Sequence, residues 1–181
     1  MRVITRDEYI PILEHPEFRW AYGEESPKPW LFEASDLEVN FNFEENSRRR
    51  KDDLDWLCED LAEIFKDYKV AYLNIVEPEL FTEQGIALAE SIRRGHNENR
   101  PLVDAPVHIF TNEESNLLWG FFFLVVQMSW SFNLYFPNYT ASIGYSLPAD
   151  YYFITWKNQE LYDKAKNILK DFHPEVYRKP E

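Results

Sequence analysis

His15, His96, His108 and His173 are the only histidines of the chain and Cys58 its only cysteine, so five side chains bound most of its nucleophilic and metal chemistry. Asp104 and His108 come nearest to a metal-ligand pair. On an extended strand, however, residues four apart share a face at a separation of about 13 Å, too far to hold one ion together. His108 is therefore expected to be a satisfied strand histidine, and no metal is assigned. Cys58 lies between Leu57 and Leu61 with Glu59 and Asp60 beside it. A thiol is activated by a positive, partly exposed setting, so a buried structural cysteine is expected. One cysteine also leaves no internal disulfide and no thiolate zinc finger. The five glycines, at 23, 85, 95, 120 and 144, cannot write a dinucleotide fingerprint or a phosphate-binding loop. Neither G-x-S-x-G, H-E-x-x-H nor C-x-x-C occurs. No catalytic residue and no cofactor are assigned.

Carboxylates are the other abundant chemistry. Asp plus Glu number 32 against 19 Lys plus Arg, a net charge of −13. Such a surface repels nucleic-acid phosphates and anionic lipid, and speeds encounter with a basic macromolecule by roughly 10- to 1000-fold at low salt. Glu59, Glu63 and Asp67 recur at four-residue steps, with Asp52 and Asp60 nearby. Like charges at that spacing on a helix cost a few tenths of a kcal/mol each. The stripe is either an ordinary solvated face or one kept because a basic partner docks there. A second acidic surface is suggested by residues 101–156, which hold no Lys or Arg but keep Asp104, Glu113, Glu114 and Asp150. Tyr135, Tyr139, Tyr145, Tyr151 and Tyr152 accompany them, a mixture that protein interfaces favour. The candidate partner-binding residues are Glu59, Asp60, Glu63, Asp150 and Tyr151.

The elements that must position these residues follow from periodicity. At 181 residues, 45% hydrophobic and 17% aromatic, the chain is expected to fold as one domain. Residues 1–29 read as a small N-terminal element whose short helix is capped by Thr5 and Glu8, followed by the turn-rich "GEESPKP". "LEVNFNFE" alternates as a half-buried strand. Leu54, Leu57, Cys58, Leu61, Ile64, Phe65 and Tyr68 mark one stripe of a helix of about five turns. "VAYLNIV" reads as a strand, "FTEQGIALAESIRRG" as a helix stopped by Arg93, Arg94 and Gly95, and "VHIF" as a strand. "YTASIGY" and "YYFITW" complete a meander before a last helix marked by Leu161, Ala165, Ile168, Leu169 and Phe172.

"WGFFFLVVQMSWSFNLYFP", residues 119–137, is long and apolar, yet Gln127, Ser129, Ser131 and Asn133 interrupt it and no basic residue flanks it, so it is not read as a membrane span. Thr111 and Glu114 form a capping box for a helix that hands over to the strand "SFNLYF". The competing reading is one long bent strand from Val126, where apolar and polar residues alternate, but about 18 residues far exceeds common strand length. The helix is the expectation for residues 112–127. The N-terminus shows no signal-peptide pattern, which points to the cytoplasm.

These elements predict an α/β layered domain of α+β character, with a mixed or antiparallel sheet, a C-terminal meander and about four flanking helices. "SFNLYFPNYTASIGYSLPADYYFIT" followed by "NQELYDKAKNILKDF" resembles the immunity proteins that neutralise bacterial polymorphic or contact-dependent toxins. The likeness of pattern covers roughly the last 45 residues. "LPADY" is similar to the LPxDY element of one large immunity superfamily, where it lies nearer the N-terminus. The resemblance implies a non-catalytic inhibitor of a basic toxin or nuclease, with no nucleic-acid or membrane partner. The alternatives are a small hydrolase built around His96, His108 and nearby acids, or a structural adaptor subunit.

Overall fold

The computed structural model describes residues 1–13, 37–41, 50–76, 78, 81–139, 141–146, 151–156, 159–168 and 175–177. In chain order they form β1 (Arg2–Ile4), α1 (Arg6–Leu13), β2 (Leu37–Phe41), α2 (Arg50–Ile64), β3 (Val70–Ile75), α3 (Glu83–Gly95), β4 (Val107–Thr111), α4 (Ser115–Gln127), β5 (Phe132–Phe136), β6 (Ala141–Ser146), β7 (Tyr151–Trp156), α5 (Gln159–Ile168) and β8 (Glu175–Tyr177). All the strands join one sheet in the order β1-β4-β3-β5-β6-β7-β2-β8. Every pairing is antiparallel, so the fold is α+β and the mixed-sheet option is set aside.

A helix between two strands commonly signals a parallel crossover. Here α3 is followed by a return loop, residues 96–106, which turns at Pro101–Ala105 and whose Pro106 carbonyl accepts from the Ile75 amide at 3.2 Å. β4 therefore starts beside the end of β3 and runs back along it, Asn74 opposite Val107 and Val70 opposite Thr111. The meander read from the turn residues is present as β5-β6-β7. The N-terminal helix also carries its capping box: the Thr5 amide donates to Glu8 Oε2 at 2.8 Å and the Glu8 amide to Thr5 Oγ1 at 3.2 Å. β1 ties that helix to the sheet by pairing with β4; residues 14–29 lie outside the described residues.

Strand alternation divides the sheet between two cores. Ala71, Leu73 and Ile75 point to one face with Phe110, Phe132, Leu134, Phe136, Ala141 and Ile143, where they meet the apolar sides of α2, α4 and α5. Ile4 and Val107 point to the other and pack with Tyr9 of α1. On the first face Phe65 and Phe136 stack with ring centroids 4.1 Å apart, a geometry worth about 0.5–1.5 kcal/mol beyond area burial.

Residues 112–127 are helical: a 3-10 turn at Asn112–Glu114 leads into α4. The Thr111 amide donates to Glu114 Oε2 at 3.0 Å, one arm of the expected capping box. Leu118, Trp119, Phe121, Phe122, Leu124, Val125 and Val126 are all buried, because α4 packs against both α2 and β4. A helix enclosed on several sides loses the narrow apolar stripe by which a surface helix is recognised. Its end is set by backbone geometry. Ser129 adopts a left-handed φ of 52°, its amide bonds the Val126 carbonyl at 2.9 Å, and the Trp130 amide reaches back to the Val125 carbonyl at 3.0 Å. This pair of bonds is a Schellman motif with Ser129 where glycine is usual. Among the described residues no helix is long and apolar enough to cross a membrane.

Candidate functional site

The acidic stripe is built on α2. Leu57, Cys58, Leu61 and Ile64 bury one side of this helix, which leaves Glu59 and Glu63 exposed and Asp60 half-buried. The expected burial of Cys58 is observed. The helix ends at Ile64, about one turn earlier than its apolar stripe predicts. Phe65 and Tyr68 continue that stripe from a turn rather than a helix. Asp67 therefore lies beyond the helix, its amide donating to the Tyr139 hydroxyl at 3.1 Å and its carbonyl accepting from Asn138 Nδ2 at 3.4 Å.

Glu63 is not an isolated negative charge. Lys66 Nζ lies 2.9 Å and Lys164 Nζ 3.9 Å from its Oε1, and the hydrogen bond and charge of Lys66, with Lys164 behind it, hold its carboxyl below the usual range. Lys164 also donates to the Glu63 carbonyl at 2.7 Å and the Ile64 carbonyl at 3.3 Å. An ammonium from α5 thus satisfies the orphan carbonyls at the negative end of α2. α5 packs against α2, and its Glu160 and Asp163 are exposed. Glu59, Asp60 and Glu63 share one helix as expected. Asp150 lies outside the described residues, and Tyr151 opens β7 opposite Ser146.

α3 ends at Gly95 with Arg93 and Arg94 in its last turn, as expected. Arg93 is nonetheless 0% exposed, which its role as a stop signal does not predict. The signal missed is its spacing: Gly85, Ala89 and Arg93 follow at four-residue steps and are the buried residues of α3. The helix is closed instead by Asn97, whose φ is 64°, with the Asn97 amide bonded to the Arg94 carbonyl at 3.1 Å and the Glu98 amide to the Arg93 carbonyl at 3.0 Å. Arg93 Nη2 donates to the Ala105 carbonyl at 3.1 Å, while Nε and Nη1 have no hydrogen-bond partner among the described residues.

His108 is likewise 0% exposed; its ring nitrogens make no well-aligned hydrogen bond among the described residues, but the Leu73 and Pro106 backbone carbonyls lie close enough to favour its protonated form. Its ring lies 4.6 Å from that of Phe121. Burial, reinforced by the Arg93 charge, pushes its pKa down to about 3, so the imidazole is neutral at pH 7. Arg93 itself is lowered by burial, against the pull of Glu98 and Glu90. His96 caps α3 in an exposed position, a setting opposite to that of His108. Among the described residues no three His, Cys, Asp or Glu side chains are placed to hold a metal ion.

No protein-family profile, no curated protein and no solved structure matches the chain.

Proposed function

We propose that this chain is a non-catalytic binding protein, an immunity-type inhibitor that neutralises a cognate basic toxin or nuclease by covering it with an acidic, aromatic surface. The observation that supports it most is that Glu59 and Glu63 of α2 and Glu160 and Asp163 of α5, two helices that pack together, are exposed in a chain of net charge −13. Such a field draws a cationic partner to the surface and orients it before contact. Because Lys66 and Lys164 already partner Glu63, Glu59 carries more of the attraction and Glu63 less. Asp150 and Tyr151 supply a second contact in this reading. The buried aromatics of α4 and β5 make the platform beneath it stiff, which limits the ordering cost of association. In this reading the inhibitor works in the cytoplasm.

The test is co-purification with the product of the neighbouring gene, followed by co-expression. Cells making this protein should survive that toxin, and Glu59→Lys should slow association at low salt by about tenfold or more. A neighbouring toxin that kills cells despite abundant, folded inhibitor would overturn the proposal.

A further inference from the structure

Among the described residues β1 is an edge of the sheet, paired with β4 on one side only. Backbone alternation fixes which of its groups look outward. In an antiparallel ladder, residues that exchange hydrogen bonds with one neighbour alternate with residues that turn their amides and carbonyls to the opposite side. The Ile75 amide bonds the Pro106 carbonyl at 3.2 Å. Leu73 and His108, two residues along the same ladder, are therefore the next bonded pair, and the His108 backbone is committed to β3. Val3 stands opposite His108 on the other side of β4. Its amide and carbonyl thus point away from β4 to the open edge, and the alternation puts the Thr5 amide on that side too.

Two of these outward groups are covered by side chains. Arg100 Nη2 donates to the Val3 carbonyl at 2.7 Å, and Glu8 Oε2 accepts from the Thr5 amide at 2.8 Å. Arg100 is exposed, yet Glu98 presets it, accepting from its backbone amide at 2.8 Å, its Nε at 2.9 Å and its Nη2 at 2.6 Å. An uncovered strand edge is a template for another strand. A second copy of β1 matches it: turned about a twofold axis at Val3, the two Val3 residues exchange both backbone bonds, and the contact is self-complementary. The same rotation sets both α1 helices on one face of the joined sheet, because α1 packs on β1 and β4 through Tyr9. There α1 carries Ile10, 47% exposed. We propose that Arg100, preset by Glu98, is an edge guard that occupies the ladder position at Val3 and keeps a second copy of this chain from pairing through β1.

Sedimentation of the full chain in about 1 M NaCl tests this, since screening there acts within about 3 Å and the −13 charge of each copy no longer holds copies apart. The parent should keep the mass of one chain. Arg100→Ala should shift toward the mass of two with a dissociation constant on the order of 1 mM, because one freed ladder pair and a small apolar contact work against the cost of association. If Arg100→Ala does not fold, Arg100→Gln, which keeps a polar stem too short to reach Val3, takes its place. Adding Val3→Pro to either variant should restore the single-chain mass. It removes the outward amide without costing β1 a bond to β4, and proline is tolerated on an edge strand. A folded Arg100 variant that keeps the single-chain mass at millimolar concentration overturns the proposal. So does association that survives Val3→Pro, which runs through another surface, and so does a parent that already pairs through β1.

Discussion

Replacing Gly85 with alanine should destabilise the protein, although the same exchange inside a helix ordinarily gains about 0.5–1 kcal/mol. A Cβ at Gly85 would stand 2.6 Å from Trp130 Cζ2 and 3.2 Å from Thr82 Oγ1. Neither neighbour yields easily. Trp130 is 3% exposed and stacked on Phe81 at 4.3 Å with the rings 4° from parallel, while Thr82 Oγ1 caps α3 by accepting from the Gly85 amide at 3.3 Å. Overpacking a filled site costs about 1–3 kcal/mol, so the propensity gain is outweighed and a net loss of about 1–2 kcal/mol is expected, roughly 3–6 °C in Tm for a chain of this size. Gly120 in α4 supplies the control. It is exposed, and nothing lies within 4 Å of the Cβ it would acquire, so Gly120→Ala should stabilise by about 0.5–1 kcal/mol. Urea titrations of both variants read the two signs directly. Equal stabilisation by the two substitutions would refute the close-approach argument, as would a Gly85→Ala cost unchanged in a Trp130→Leu background.

Ser129→Gly should raise stability by about 1 kcal/mol in thermal melts, because it removes a side chain from a left-handed residue while keeping the two terminating bonds of α4. The buried His108 makes stability acid-sensitive. Its pKa is pushed down to about 3 in the folded protein, against about 6.5 for an unperturbed imidazole, so between those limits the unfolded chain binds a proton that the folded chain does not, and stability falls as pH falls, by about 1.4 kcal/mol per unit. Urea midpoints at pH 7 and 4.5 should therefore differ by about 2–3 kcal/mol more in the parent than in His108→Phe.

The elements that announce themselves do so through contacts close in sequence. Thr5 with Glu8 and Thr111 with Glu114 mark helix starts because a capping box is complete within four residues. The alternation in β3 survives because one face meets the main core and the other is only half-buried. Where a segment is enclosed on several sides, as α4 is, the pattern that separates helix from strand fades and only the cap decides. Three-residue strands such as β1 and β8 are too short to show a period at all. The candidate acids Glu59, Asp60 and Glu63 were legible as a stripe, but their partners were not. Lys164 reaches Glu63 from a different helix about a hundred residues along, and no local spacing records that. Arg93 marks the end of α3 as its type suggests, but its burial is recorded only in its four-residue spacing from Gly85 and Ala89.

The position of β2 in the sheet dictates an order of events. Formed early in the chain, it sits between β7 and β8, with Val39 opposite Ile154 on one side and Val176 on the other. During synthesis this strand has no sheet partner among the described residues until β7 has been made, and β1 likewise waits for β4. Long-range pairings of this kind slow folding and leave strand edges open to foreign chains in the meantime. The nascent protein is thus exposed to misassembly until β7 emerges, and a truncation that removes β8 should be felt at β2, the strand it pairs with.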